Sequence, residues 1–265
     1  MLEDAFERAR GEKRMAFIPY VMAGDPDLET TEAILLALSD AGADVIELGV
    51  PYSDPLADGP TIAAAGQRAL RSATHLREVL ALASRCRERC PPIVLFTYYN
   101  PVYQFGVERF AREAAAAGVA GAIVPDVALD ESAELRAALQ AQGLTMPLLV
   151  APSTPQQRAA RIVDAATGFV YVVSRLGVTG TGNAPDFAPL RRQLASLREL
   201  TDKPLAVGFG LSSPQDVRNL GMLADGVVVG SALIDAYAGA RAQEAATRVR
   251  QFVAPLIAAC FLVSL

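Results

Sequence analysis

Residues 44–60 read DVIELGVPYSDPLADGP, and this stretch joins a short apolar run to a long loop. The run Asp44–Leu48 has the length and composition of a buried strand, apart from Asp44 at its start and the carboxylate of Glu47 within it. The loop after it holds three prolines and two glycines. Proline removes a backbone donor and glycine loosens the chain, so this segment is neither helix nor strand. Carboxylates on a loop that follows a buried strand indicate a site of chemistry.

The same unit, a short apolar run with room for a helix after it, recurs along the chain. Most runs are rich in Val, Ile and Leu without alternation, as expected of parallel strands covered on both faces. Repetition of this unit predicts a closed (β/α)8 TIM barrel in the α/β class. An open doubly wound sheet would carry a glycine-rich dinucleotide fingerprint after its first strand, where this chain reads MAGDP. The eight predicted strands are Ala16–Val21, Asp44–Leu48, Ile93–Thr97, Gly121–Pro125, Pro147–Ala151, Phe169–Ser174, Pro204–Phe209 and Gly226–Gly230.

Helix signals surround these runs. Apolar residues at helical spacing predict an extra N-terminal helix over Leu2–Lys13, and a similar stripe predicts a final helix over Arg241–Ala259. Asp27 and Asp130 stand where helix N-caps are expected, because their side chains accept hydrogen bonds from first-turn amides. Gly42 stands just before a strand, where a left-handed C-cap is wanted.

Composition limits the class of protein. The chain has 265 residues, 52% of them hydrophobic, and no linker or charge run divides it, so we expect one domain over residues 1–265. A net charge of −5 argues against nucleic acid as the main partner. We expect no secretory signal, because residues 1–14 are charged and have a helical period. The apolar end, residues 252–265, is short for a membrane span and contains Pro255. Three cysteines without metal spacing are expected to be reduced thiols of a cytoplasmic protein.

Three glycine motifs follow the last three predicted strands. They are Gly177–Gly182, Gly208–Gly210 and Gly230–Ser231. In barrels, the loops after the last two strands and a short helix recurrently bind phosphate, because glycine lets backbone N–H groups approach the anion. Any one of these motifs could serve a tight turn alone. Together they predict a phosphorylated small molecule as substrate, held by a short phosphate-binding helix after strand eight.

Carboxylates and tyrosines are the groups left to move protons. Glu47 lies at the end of strand two, where desolvation would raise its pKa, and Asp58 lies on the loop beyond it. A rim salt bridge for Glu47 and a simple turn for Asp58 are the alternatives. The only histidine, His75, is expected to be an exposed helix residue, which disfavours a Ser-His-Asp triad or a histidine metal site. Both lysines precede strands, so Schiff-base chemistry is disfavoured too.

Several aromatic side chains fall on or beside the predicted strands. Packing in the core is the default interpretation for each of them. Beside an anion pocket, they could also line a flat apolar cavity, so the substrate would carry a phosphate at one end and an apolar ring at the other. These side chains are Tyr20, Phe96, Tyr98, Tyr171 and Phe209.

These motifs resemble the signature of the tryptophan synthase α chain family. The resemblance rests on residues 47–60, on SRLGVTG at 174–180, on VGFG at 207–210 and on Gly230-Ser231. It runs in order from about Phe6 to about Ala259, which is nearly the whole chain. It implies a lyase of tryptophan biosynthesis that cleaves indole-3-glycerol phosphate to indole and glyceraldehyde 3-phosphate by a retro-aldol reaction.

The resemblance also implies roles for individual residues. Glu47 would protonate indole C3 and shuttle protons, Asp58 would accept a hydrogen bond from the indole N–H and stabilise the cation, and Tyr171 would lie beside them. The phosphate would be bound by Gly180, Gly210, Gly230 and Ser231, and the indole pocket would be lined by Tyr20, Phe96, Tyr98 and Phe209. Neither a metal nor a cofactor is implied for this chain.

A partner is implied as well. The family's α chain works in an α2β2 heterotetramer with a pyridoxal-phosphate (PLP) β chain, which condenses the indole with serine. Residues 53–60 and 179–186 resemble the two loops that close over the substrate, and Asp54 and Pro55 match positions that face the β chain. The alternatives are a lyase active without a β chain, another phosphate-binding barrel such as an isomerase or indole-glycerol-phosphate synthase, and an inactive subunit that only activates its partner.

Overall fold

Eight parallel strands form the centre of the fold. The computed structural model describes residues 2–174, 187–208 and 210–261. Each predicted strand is present, and the observed strands are mostly shorter because the outermost predicted residues lie outside the sheet ladder. The strands are β1 Ala16–Met22, β2 Ile46–Gly49, β3 Ile93–Phe96, β4 Gly121–Ile123, β5 Leu148–Val150, β6 Val170–Val173, β7 Leu205–Gly208 and β8 Gly226–Val229.

The strand order shows how the barrel closes. Along the sheet it is β4-β3-β2-β1-β8-β7-β6-β5, and every pairing is parallel. The two ends of this order meet through a parallel bridge between Gly121 and Thr145, just before β5. A Cβ on Gly121 would lie 2.4 Å from the Thr145 carbonyl oxygen, so only glycine permits this approach. The predicted (β/α)8 barrel is confirmed.

Helices surround the barrel in the described part of the chain. No helix in these ranges is long and apolar enough to cross a lipid bilayer. The helices are α1 Leu2–Gly11, α2 Leu28–Ala41, α3 Pro60–Arg71, α4 Leu76–Cys86, α5 Tyr99–Phe105, α6 Val107–Ala116, α7 Ala133–Ala141, α8 Gln156–Ala165, α9 Ala188–Arg198, α10 Pro214–Leu220, α11 Ser231–Tyr237 and α12 Ala242–Cys260.

The extra N-terminal helix α1 covers the N-terminal ends of the strands, which we call the floor of the barrel. Its buried residues are Leu2, Ala5, Phe6 and Ala9, the stripe that the sequence predicts. The ring of Phe6 packs 5.5 Å from that of Phe169, the residue before β6. The floor is therefore closed to solvent, and the opposite end, which we call the mouth, is left for the site.

One of the two predicted N-caps is correct. The Asp27 side chain accepts a hydrogen bond of 2.8 Å from the Thr30 amide and so begins α2. Asp130 is not a cap, because it lies inside a 3-10 turn over Leu129–Glu131 and α7 begins only at Ala133. Its carboxylate instead pairs with Arg161 of α8, which takes it away from first-turn amides.

The two lysines lie at the floor, as expected. Lys13 precedes β1, and Lys203 precedes β7. The Nζ of Lys203 donates to three carbonyl oxygens at the C-terminal end of α8, at 2.7 to 2.8 Å. Its charge therefore stabilises a helix terminus and is far from the mouth.

Candidate active site

Strand β2 places Glu47 inside the barrel. Its Cα pairs with that of Tyr20 on β1 and with that of Val94 on β3. The residue is 1% exposed, and neither carboxylate oxygen has a hydrogen-bond partner within the described residues. Burial alone raises the pKa of Glu47 from 4.5 to about 8. A rim salt bridge, the alternative interpretation of this residue, is absent from the described part of the chain.

The protonation state of Glu47 follows from this environment. An ionised carboxylate in an apolar interior without a partner is strongly disfavoured, so the group keeps its proton at neutral pH. A protonated carboxyl group whose pKa is near the working pH is suited to give a proton and take it back.

Other carboxylates at the mouth are already engaged. Asp25, which follows β1, accepts two hydrogen bonds from Arg68 of α3, at 2.7 and 2.9 Å. Asp126, which follows β4, accepts from the Tyr99 amide at 2.9 and 3.2 Å. Both side chains hold loops in place.

Asp58 lies on the long loop after β2 and is half-buried. A side-chain hydrogen bond joins it to Tyr98, and the same Tyr98 hydroxyl accepts from the Ala57 amide at 3.0 Å. Burial raises the pKa of Asp58, and the bond to Tyr98 opposes this rise. Tyr98 also stacks on Tyr52, with ring centroids 5.2 Å apart. The end of β3 thus holds the Asp58 loop over the mouth.

Tyr171 enters the same interior from β6, across the barrel. It is 3% exposed, and burial raises its pKa well above the usual value, with a negative charge on Glu47 raising it further. Its hydroxyl lies against β7, where a Cβ on Gly208 would come within 2.1 Å of the oxygen. The phenol is therefore neutral and lies near Glu47 in the interior of the barrel, a region that we call the chamber.

Aromatic rings line the side of this chamber. Tyr20 and Phe96 are buried and meet edge to face, with centroids 5.7 Å apart and planes at 87°. Tyr98 continues the wall and is also buried. Three of the four predicted pocket residues therefore cluster beside Glu47. The fourth, Phe209, lies outside the described residues.

The glycines after β7 and β8 form the other end of the site. Gly210 has a positive φ of 81°, which favours glycine. Gly230 is the N-cap of α11, and Ser231 is the first residue of that helix. The Leu233 amide donates to the Gly230 carbonyl. The backbone amides before Leu233 come ahead of the repeating hydrogen bonds of the helix, as the first amides of any helix do. Gly180, the remaining predicted phosphate residue, lies outside the described residues.

The outer side of the Asp58 loop faces solvent. Asp54 is exposed and Pro55 is half-buried. Between them and Asp58, Leu56 is 86% exposed, which is unusual for a large apolar side chain. Sequence reasoning did not single out Leu56, although a leucine inside a polar, proline-rich loop is a signal that could have found it.

No group of three or more metal-ligating side chains is found among the described residues. His75 is an exposed N-cap of α4, as predicted.

Comparison with known proteins identifies the family. The family model for the tryptophan synthase alpha chain matches residues 6–259. The alpha chain of Prochlorococcus marinus is 48% identical over 241 residues, covering 90% of this chain and 87% of the relative. The chain belongs to the tryptophan synthase alpha chain family. Its activity is that family's lyase half-reaction, the cleavage of indole-3-glycerol phosphate.

Further relatives extend the match to the whole chain. The tryptophan synthase alpha chain of Picosynechococcus is 46% identical over 253 residues, which are 95% of this chain and 96% of the relative. A solved structure of Mycobacterium tuberculosis tryptophan synthase superposes with a TM-score of 0.91 at 39% identity, covering 99% of this chain and 98% of that one. The fold, the lyase class and the tryptophan-biosynthesis assignment predicted from the motifs are confirmed.

Proposed function

We propose that Glu47 is the general acid and base of the retro-aldol cleavage. Its protonated carboxyl group gives a proton to indole C3, which places positive charge on the indole ring and its nitrogen. The carboxylate then takes the proton of the chain hydroxyl next to the ring as the carbon–carbon bond breaks. The bonding electrons return to the ring, the oxygen becomes the aldehyde of glyceraldehyde 3-phosphate, and Glu47 regains its proton.

The observation that carries this proposal is the buried carboxyl group of Glu47, which has no hydrogen-bond partner among the described residues and a pKa of about 8. Such burial costs stability, and a purely structural position would be filled by an apolar residue or given a partner. A subunit that only activated a partner would have no use for this group. The geometry therefore favours a lyase over the inactive-subunit alternative.

Asp58 supplies the electrostatic part of the mechanism in this proposal. The developing ring cation favours the ionised form of a neighbouring carboxyl group, and Tyr98 already donates to Asp58. Asp58 accepts the indole N–H hydrogen bond, and the Tyr171 phenol completes the catalytic set as a buried donor beside Glu47. Two carboxyl groups with opposite protonation states then share one reaction.

The substrate's two ends have separate binding regions. The phosphate is held by backbone amides around Gly210, Gly230 and Ser231, together with Gly180 from outside the described residues. The indole ring lies against Tyr20, Phe96 and Tyr98, and Phe209 belongs to the same set. The reaction as written uses only side chains of this chain, so we assign it no cofactor and no metal, and PLP is assigned to the β partner.

Leu56, Asp54 and Pro55 form a surface that suits a partner chain. An exposed leucine on the loop that also carries Asp58 would join partner contact to catalysis. We assign this loop to the PLP-dependent β chain of a cytoplasmic α2β2 assembly that receives the indole. Full-rate indole release without any β chain would favour the independent lyase instead. We also assign residues 1–265 to one domain, because the buried apolar side chains form one cluster.

The test replaces Glu47 by Gln, which keeps the shape and removes the exchangeable proton. Indole release should fall about 10³-fold, in the range of an essential acid/base group. The dissociation constant of indole-3-propanol phosphate should stay within about twofold, because the phosphate and indole regions are untouched. The matched control is Glu108→Gln on the exposed face of α6, which should change neither quantity. Near-normal turnover by Glu47→Gln would refute the mechanism.

A further inference from the structure

Tyr20 has a hydroxyl that the roles above do not use. The residue lies on β1, directly opposite Glu47 of β2 in the sheet register, and is 4% exposed. Lining an indole pocket needs only its ring, and phenylalanine would do that equally well. A buried phenol is expected to have a hydrogen-bond partner for its O–H group.

The ring of Tyr20 connects the two ends of the site. Near its base, a Cβ built on Gly230 would lie 3.4 to 3.6 Å from the Tyr20 Cβ and ring, so the side chain starts beside the N-cap of α11. At its tip, a Cβ on Gly49 would lie 2.2 Å from the hydroxyl oxygen. The side chain therefore runs from the phosphate region at the end of β8 to the end of β2.

Gly49 stands two residues beyond Glu47 on the same face of β2. The Tyr20 hydroxyl therefore lies about 7 Å further along the strand than Glu47, towards the mouth. Asp58 is near enough that its charge, after burial, is the largest influence raising the pKa of Tyr20, and Glu47 contributes too. The phenol is consequently neutral, and it lies within electrostatic reach of both carboxyl groups.

The hydroxyl has no partner in the described part of the chain. The neighbouring Tyr98 hydroxyl, by contrast, is bonded to Ala57 and Asp58. The Tyr20 oxygen is also not one of the fully enclosed, unpartnered side-chain atoms of the described residues, so part of its surface is accessible. An accessible donor without a partner among the described residues is available to a ligand.

The substrate offers a matching group at this level. Between its indole ring and its phosphate lies a glycerol chain with two hydroxyl groups. We propose that the Tyr20 hydroxyl hydrogen-bonds a chain hydroxyl of indole-3-glycerol phosphate and so selects substrates with a hydroxylated chain. This inference rests on the proposed function. It makes Tyr20 a specificity-determining residue in addition to a wall of the indole pocket.

The test compares two ligands that differ only in the chain. Indole-3-propanol phosphate has the same ring and phosphate but neither chain hydroxyl. Binding is measured in the Glu47→Gln background, where the natural substrate stays intact, with and without Tyr20→Phe. The substitution should weaken binding of indole-3-glycerol phosphate about tenfold, as expected for one lost hydrogen bond, and leave the propanol analogue within about twofold. Tyr103→Phe, on the exposed face of α5, is the control and should affect neither ligand.

Each other outcome overturns the inference. Equal weakening of both ligands would mean that Tyr20 only shapes the ring pocket, and no change with either would mean that its hydroxyl does not meet the substrate. The proposed function fails separately, if Glu47→Gln continues to cleave the substrate at the normal rate. The two failures are therefore distinguishable in one set of proteins.

Discussion

Asp44 and Glu47 stand three residues apart in the sequence, yet their carboxyl groups differ in hydrogen bonding: one lies at the floor of the barrel and the other towards the mouth. Each is 1% exposed. At the floor, Asp44 accepts hydrogen bonds from Arg14 at 2.5 and 2.9 Å and from the Phe17 amide at 2.9 Å. Towards the mouth, Glu47 has no partner within the described residues. Asp44, just before β2, is thus a hydrogen-bonded carboxylate, whereas Glu47, within β2, is a carboxyl group without a partner among the described residues.

The difference separates stability from chemistry. At the floor, Arg14 pairs with the buried Asp44, and the ammonium group of Lys203 donates to helix carbonyls. The charges at this end therefore stabilise the fold. At the mouth, Glu47 is buried although burial disfavours its ionised form. Its pKa is thereby close to the working pH, which suits a group that gives and takes a proton in the reaction. The same arrangement explains why changes at the floor should affect unfolding and changes at the mouth should affect turnover.

The largest expected effect on stability comes from breaking the floor pair. Arg14→Met removes the two shortest side-chain bonds to the buried Asp44 and leaves it the Phe17 amide and a longer contact to Arg8, so the free energy of unfolding should fall by about 3 kcal/mol. Urea unfolding followed by circular dichroism measures it. The control is Arg85→Met, which removes a solvent-exposed pair with Glu32 and should cost less than about 1 kcal/mol. Equal losses for both variants would show that the floor pair is no different from a surface pair.

A smaller effect is expected from removing the titration of Glu47. Its pKa is higher in the folded than in the unfolded chain, so the contribution of Glu47 to stability is fully present below pH 4.5 and is lost as pH rises towards 8. Glu47→Gln cannot lose a proton there. Its free energy of unfolding relative to the wild type should therefore increase by about 2–3 kcal/mol between pH 5 and pH 7.

Urea unfolding of both proteins at several pH values measures this difference. Glu108→Gln is again the control, because an exposed glutamate should leave the pH profile unchanged. A constant difference between Glu47→Gln and the wild type across this range would mean that Glu47 is ionised in the folded chain, and the contrast with Asp44 would be lost.

The strands, the N-terminal helix and the position of Glu47 could be predicted from the sequence. Unbroken Val, Ile and Leu runs are a strong signal of buried parallel strands, and all eight were placed within a few residues. Glu47 was found because a carboxylate is conspicuous in such a run. The burial pattern of α1 also matched, since an amphipathic stripe depends only on local spacing.

Contacts between distant segments could not be predicted. Asp130 pairs with Arg161 of the next helix, a tertiary contact that overrides its local capping preference. The bond between Tyr98 and Asp58 joins two loops that are forty residues apart, and no short-range pattern encodes it. The exposure of Leu56 likewise depends on how the whole loop folds over the mouth. The predictions for Gly180 and Phe209 stay predictions, because both lie outside the described residues.

The most direct measurement is the titration of the Glu47 carboxyl group itself. In protein labelled with carbon-13 at glutamate side-chain carboxyls, the Glu47 signal is identified by its loss in Glu47→Gln, and its chemical shift is followed from pH 4 to pH 9. The account predicts a midpoint near 8 and a protonated carboxyl group at pH 7. A midpoint between 4 and 5 would show an ordinary, ionised glutamate and would contradict the assignment of Glu47 as the proton donor.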